Sequence, residues 1–270
     1  MKRPQALFLD IDGTILRSNH CLSTRVRDAV AALEKAGTLV CLATGRSWEA
    51  LYPLYKELNL HGPTVCYNGA MIVRDSSGHV VAEHCLEEQT GRFIVDYARL
   101  HQYQMVAYQN GTMFYEHEGE EMEAYIERVK IPAQKTDFSQ DSLRFTKAII
   151  FGEPESLLEP KAYLEKELGS HLSATFSSPR FLELMAGGVD KGAGLREVCR
   201  LAQIPVSESV AMGDGWNDLA LLEAAGDAWV MGGAPKELAQ RFPEDRQALH
   251  CDEDGAAVVM EAMVQGDADE

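Results

Sequence analysis

Ala6-Leu7-Phe8-Leu9, running straight into Asp10-Ile11-Asp12-Gly13-Thr14, decides how this chain is read. An apolar run of this length fits a strand buried on both faces. Two acids two residues apart on an extended strand share one side, roughly 7 Å apart along the backbone. Gly13 lets the chain turn, and Thr14 adds a hydroxyl beside the acids. Core packing gives no reason for such a pair, because desolvated like charges are costly. A divalent cation and a phosphoryl group give one. The pattern suits an aspartate nucleophile, an acid/base partner and a magnesium ion between them. The competing reading is a strand that ends in a polar Asp-Gly turn.

Working outward, the first third alternates strand and helix signals. The spacing predicts a buried strand over 5–11. Ser23 is placed to cap a helix over 24–36, with Val26, Ala29, Val30 and Leu33 on one face and Gly37 at its end. A second buried strand is predicted over 38–43, a helix over 47–58 and a third strand over 63–67. The last third resumes this rhythm, with helices over 191–202, 216–225, 235–241 and 254–264 and strands over 208–213 and 228–231. Short apolar strands separated by helices imply an α/β fold with a doubly wound, Rossmann-like parallel sheet. Between the two halves the pattern changes. Asp75-Ser76-Ser77-Gly78 signals a hairpin, and mixed helices and strands follow to about residue 183. The expected organisation is a core domain, 1–83 plus 184–270, interrupted by an α+β cap domain, 84–183. The acidic end of the chain, 265–270, is expected to be disordered.

Composition narrows the function. The chain has 270 residues and a formal net charge of −17. That balance argues against nucleic acid as a partner and against docking on anionic membranes. Six scattered cysteines without a Cys-x-x-Cys pair favour a reducing cytoplasm and no structural zinc. The N-terminal apolar run is too short for a secretion signal, and no apolar stretch is long enough to span a bilayer.

Ligands of open parallel sheets gather at the carboxyl ends of the strands, and four polar clusters sit there. Asp10 and Asp12 form the first. Thr44-Gly45-Arg46-Ser47 is the second, offering a hydroxyl, backbone N–H groups and a helix start, although Ser47 capping alone would explain it. Lys191 is the third: a cation in a helix's first turn works against the macrodipole, unless it meets acids or phosphate or is simply solvated. The fourth is Gly213-Asp214-Gly215-Trp216-Asn217-Asp218. A calcium loop starting at Asp214 needs a glutamate where Ala225 stands, and one starting at Asp252 needs it where Met263 stands, so both fail. Asp252-Glu253-Asp254-Gly255 is expected to be a turn and N-cap for the last helix. None of the eight histidines shows a ligand spacing.

Taken in order, Asp-x-Asp-Gly-Thr, Thr-Gly-Arg, Lys and Gly-Asp-Gly-x-Asn-Asp resemble the motifs of the haloacid dehalogenase-like superfamily of phosphohydrolases. Tyr67-Asn68-Gly69-Ala70, Gly188-Val189-Asp190-Lys191-Gly192 and Met231-Gly232 resemble its Cof-type subfamily, and the insertion resembles a subclass IIB cap in position and size. The resemblance implies a Mg²⁺-dependent phosphatase of small phosphorylated metabolites, sugar phosphates or phosphorylated cofactors, acting as a monomer or small homo-oligomer. Asp10 would attack phosphorus and form an aspartyl-phosphate, and Asp12 would serve as acid and then base, with a raised pKa. Mg²⁺ would be held by Asp10, the Asp12 backbone carbonyl and Asp214. Thr44, Gly45, Arg46 and Lys191 would face the phosphoryl group, Asn217 would contact the phosphate or Lys191, and Asp218 would steady Lys191 or a metal-bound water. Arg180, Glu183 and Asn68 are further cap-side or hinge-side contact candidates, with a purely structural role as the competing reading. The alternatives are a phosphomannomutase-like transferase and a phosphate sensor. Two positions depart from the family pattern: Gly233 where Asn is common, and the bulky Trp216.

Overall fold

The computed structural model describes residues 1–139 and 144–266, so most of the expected disordered tail lies outside the described residues. The first segment runs through β1 (Ala6–Leu9), α1 (Thr24–Lys35), β2 (Leu39–Leu42), α2 (Trp48–Glu57), β3 (Thr64–Cys66), β4 (Met71–Val73) and β5 (Val80–Glu83). The insertion holds α3 (Glu88–Leu100), β6 (Gln104–Gln109), β7 (Thr112–Tyr115), α4 (Glu120–Val129), β8 (Ala133–Lys135), β9 (Lys147–Phe151), α5 (Leu158–Leu168), β10 (Leu172–Ser178) and β11 (Phe181–Ala186). The chain then returns through α6 (Lys191–Ala202), β12 (Ser209–Gly213), α7 (Leu219–Ala224), β13 (Asp227–Val230), α8 (Lys236–Ala239) and α9 (Gly255–Gln265).

These elements form two compact units, one from Met1–Gly45, Tyr52–Val81 and Asp190 onward, the other from Arg46–Leu51 and Ala82–Val189. In the first unit a parallel sheet has the order β13-β12-β1-β2. β1 is one of its two interior strands, with Ala6 opposite both Ser209 and Leu39. All four residues of β1 are fully buried, as a strand covered on both faces demands. Ser23 caps α1 as its sequence predicts, its hydroxyl accepting the Val26 N–H at 3.1 Å. The predicted third parallel strand is cut short. β3 touches β2 through one parallel bridge, Ala43 to Val65, then pairs antiparallel with β4. Tyr67 and Asn68 take left-handed backbone at φ 50° and 53°, and this turn reverses the chain.

The second unit is built on a six-stranded sheet of order β10-β11-β9-β6-β7-β8. All its pairings are antiparallel except β7 with β8. Ile94 and Val95 of α3 and Leu164 of α5 pack with Ala107, Ala148, Ile150 and Leu184 of the strands into one apolar core. β8, Ala-Gln-Lys, carries no apolar alternation and has no sequence signal; only its partner β7 makes it a strand.

Candidate active site

β1 ends at Leu9, although the Asp10 N–H still donates to the Met212 carbonyl at 3.0 Å and so stays in register with β12. Beyond it the Ile11 carbonyl accepts the N–H groups of Ile15 (3.1 Å) and Leu16 (2.9 Å), closing a tight turn. Gly13, at φ 84°, sits in that turn, and a side chain there would collide with the Asp214 carboxylate. The expected strand through Ile11 is therefore corrected: Asp12 leaves the ladder and is exposed, while Asp10 is buried. The paired-acid spacing does not come from one extended strand. His20 Nδ1 stands 3.4 Å from Asp12 Oδ1.

Lys191 opens α6 behind Asp190, whose carboxylate accepts the Ala193 N–H at 2.7 Å and caps the helix. Its ammonium is fully buried and donates to Asp10 Oδ1 and Asp218 Oδ1, both at 2.5 Å. The macrodipole conflict is thus answered by two carboxylates, and the solvated-lysine reading falls. Asp218 uses its other oxygen, Oδ2, to accept the N–H groups of Asp214 (3.0 Å) and Gly215 (2.9 Å). Those bonds hold Trp216–Asp218 in a 3₁₀ turn, so the helix expected from 216 begins at Leu219. Thr14 Oγ1 donates to Asp214 Oδ1 at 3.4 Å.

Asp10, Asp214 and Asp218 each present a carboxylate oxygen within 4.8 Å of the others. Burial, then the neighbouring Asp218, raises the Asp10 carboxyl well above the usual carboxylate range, with Lys191 opposing. The same causes push Asp214 up to about 7. Burial works to lower the Lys191 ammonium, but Asp10 and Asp218 outweigh it and raise it. Three acids facing one ammonium form a hard, anionic oxygen site, the donor chemistry Mg²⁺ requires. Asp12 contributes no carboxylate to this cluster, so its expected share in the metal site rests on its backbone carbonyl. A second group, His250, Cys251 and Asp252, is equally close, but its donors are engaged. Ser18 donates to both Asp252 oxygens, and His250 Nδ1 accepts the Asp252 N–H at 3.2 Å.

The remaining predicted residues divide. Thr44 is buried, and its N–H is committed to the Val65 carbonyl at 2.9 Å, so that amide is not part of an anion cradle. Ser47 caps α2, its hydroxyl accepting the Ala50 N–H at 3.2 Å, as the plain capping reading required. Gly45 closes the first stretch of one unit, and Arg46 opens the first stretch of the other. Asn217 Nδ2 reaches Asn68 Oδ1 at 3.5 Å; the two partners bonded to Lys191 are carboxylates, not Asn217. The Trp216 ring lies under the Arg241 guanidinium, 5.6 Å from its centroid. A Cβ at Gly233 would sit 3.1 Å from the His250 ring, so a side chain there requires that ring to give by a few tenths of an ångström. In the second unit, Arg180 pairs with Glu121 and Glu153. Glu183 is buried, accepting from Lys147 (3.1 Å) and Ser177 (2.6 Å).

Asp252 and Asp254 do more than the turn and cap expected of them. Arg17 donates to both Asp254 oxygens, and no side-chain cap from Asp254 reaches α9. Arg17, Ser18 and His20 carry no sequence signal, because their partners lie more than 200 residues away or across a turn.

A parallel sheet with acids at the carboxyl ends of β1 and β12 and a buried lysine between them defines a class, and the comparisons agree on it. The profile of the haloacid dehalogenase-like hydrolases matches residues 7–260, and the chain belongs to that family. YxeH of Bacillus subtilis is 26% identical over 239 residues, 86% of this chain and 88% of that protein. An HMP-PP phosphatase of Yersinia pestis is 24% identical over 249 residues, covering 92% of this chain and 91% of its own length. The crystal structure of a haloacid dehalogenase-like hydrolase from Bacteroides thetaiotaomicron superposes with a TM-score of 0.85 at 26% identity, covering 97% of this chain and all of that one.

Proposed function

We propose that the chain is a Mg²⁺-dependent phosphatase that hydrolyses phosphomonoesters of small metabolites through an aspartyl-phosphate on Asp10. One observation carries this reading: Lys191 is buried between Asp10 and Asp218 beside the Asp214 carboxylate, at the ends of β1 and β12. The family and the phosphatase names among its relatives support it.

Asp10, Asp214 and the Asp12 carbonyl would hold the cation. When bound, Mg²⁺ would supply positive charge against the acids and the phosphoryl oxygens. A carboxylate oxygen of Asp10 forms the new bond to phosphorus as the bond to the leaving oxygen breaks. Asp12, exposed just beyond the strand it has left, donates the proton that the leaving oxygen needs. It then takes a proton from the water that attacks phosphorus and releases Asp10. Lys191 neutralises charge at Asp10, and Asp218 fixes Lys191 with one oxygen and the Asp214 loop with the other. Phosphoryl transfer asks mainly for this positioning and neutralisation. Thr44, Gly45 and Arg46 are the proposed phosphate neighbours, and the second unit is the proposed specificity cap. All six cysteines are free thiols and no described helix is long and apolar enough to cross a membrane, which supports a cytoplasmic site of action.

The test is phosphate release from a broad phosphomonoester panel, with Mg²⁺ and with chelator, for wild type and Asp10→Asn. Metal-dependent release abolished by the substitution supports the reading. Release that survives Asp10→Asn, or isomerisation without release, overturns it.

A further inference from the structure

The segment after the Asp12 turn is a small hairpin held unusually firmly for an exposed loop. Arg17 donates its N–H to the Cys21 carbonyl at 3.1 Å, and the His20 N–H returns to the Arg17 carbonyl at 2.7 Å. Leu16 bridges Leu22 at its base and Asp12 on its other side. The hairpin is clamped to the turn before α9. Arg17 Nη2 donates to Asp254 at 2.9 and 2.8 Å, and Ser18 donates its N–H (2.8 Å) and hydroxyl (2.7 Å) to Asp252. At its tip His20 takes left-handed backbone, φ 60°, a conformation that costs a non-glycine residue free energy and that the clamp sustains. The outcome is an imidazole whose Nδ1 stands 3.4 Å from Asp12 Oδ1.

We propose that His20 is a positioning residue that orients the Asp12 carboxylate toward the leaving-group oxygen. The proposal rests on reading Asp12 as the acid that protonates that oxygen. A ring nitrogen this close to one carboxylate oxygen can restrict the rotation of an exposed side chain by a hydrogen bond. Such a bond is often long in the unliganded enzyme and tightens with substrate. The doubly anchored hairpin explains why the ring can be placed from a loop at all: Arg17 and Ser18, just before His20, are tied to the turn ahead of α9.

The experiment compares kcat/KM on an alkyl phosphomonoester and on 4-nitrophenyl phosphate, at saturating Mg²⁺. That parameter includes only steps up to loss of the leaving group. Alkoxide needs the proton and nitrophenolate does not. His20→Ala is expected to lose about tenfold on the alkyl ester and less than about threefold on the nitrophenyl ester, within the span of general acid catalysis. His20→Asn, which keeps a donor and tolerates the left-handed backbone, is expected to recover most of the loss. The melting temperature of His20→Asn should match wild type, since the ring is exposed and Asn tolerates the left-handed backbone. Equal losses on both esters, or none, with Asp12→Asn still showing the leaving-group bias, overturn the role of His20 alone. Absence of that bias in Asp12→Asn overturns the acid role of Asp12, and the proposal with it.

Discussion

Asp218 splits its carboxylate between Lys191 and the backbone of the Asp214 loop, one oxygen to each. A single buried side chain therefore sets both the cation that balances Asp10 and the path of the loop that carries Asp214. Removing it leaves Lys191 with one partner and two amides without their acceptor. Asp218→Ala is expected to destabilise the protein by about 3–5 kcal/mol, the usual cost of breaking a buried pair. Asp218→Asn should cost less, because its carbonyl still accepts from the loop. Urea unfolding of the two variants measures the difference.

The crowded carboxylates repel one another, and a bound cation would relieve that repulsion. Added Mg²⁺ is expected to raise the melting temperature. At a free concentration of about 100 times Kd the gain is about 2.7 kcal/mol. Asp214→Asn should abolish the shift, and chelator should return wild type to its unliganded value. A thermal scan over a Mg²⁺ series reads both.

Lys147 and Glu183 form another buried ion pair, in the sheet of the insertion, with the Lys147 ammonium 5.2 Å from the Tyr108 ring centroid. Lys147→Met alone leaves a buried carboxylate without its ammonium, and a loss of about 3–5 kcal/mol is expected. Lys147→Met with Glu183→Leu should cost clearly less than the sum of the single changes. A double-mutant cycle by chemical denaturation gives the coupling.

Glu116 carries an acid-sensitive part of the insertion's stability. Burial works to raise its carboxyl, but the Arg99 guanidinium and the Phe138 N–H at 2.7 Å outweigh it and hold it below the ordinary value. A carboxyl depressed in the folded state stabilises fully above its unfolded pKa, about 4.3, and loses that contribution as pH falls through the lower folded value. Wild type should therefore lose more stability than Glu116→Gln between pH 5 and 3. Unfolding midpoints across that range compare them, and a parallel decline would refute the assignment.

Much of this was legible in the residues themselves. Apolar runs marked β1, β2 and β12, and Ser23 announced its helix by capping. The acids at the strand ends stood out because burial makes charge conspicuous. What escaped were features fixed by distant partners. Asp12 left the strand because Gly13 turns at positive φ beneath Asp214. The 216–218 segment became 3₁₀ because Asp218 claims two amides. The acidic 252–254 turn read as a cap, yet its side chains answer Arg17 and Ser18, contacts that no local periodicity encodes. β8 owes its existence to its neighbour alone.

The interior position of β1 has a consequence for how the protein is made. β2 follows it within some thirty residues, but its other neighbour, β12, is about two hundred residues downstream. A nascent chain thus carries a fully apolar strand with one open edge while the whole insertion is being translated. The insertion, whose sheet is contained between Gln104 and Ala186, needs no help from either flank to pair its strands. Premature termination anywhere before Ser209 therefore yields a product with an unsealed hydrophobic edge, the geometry that recruits chaperones or seeds aggregates.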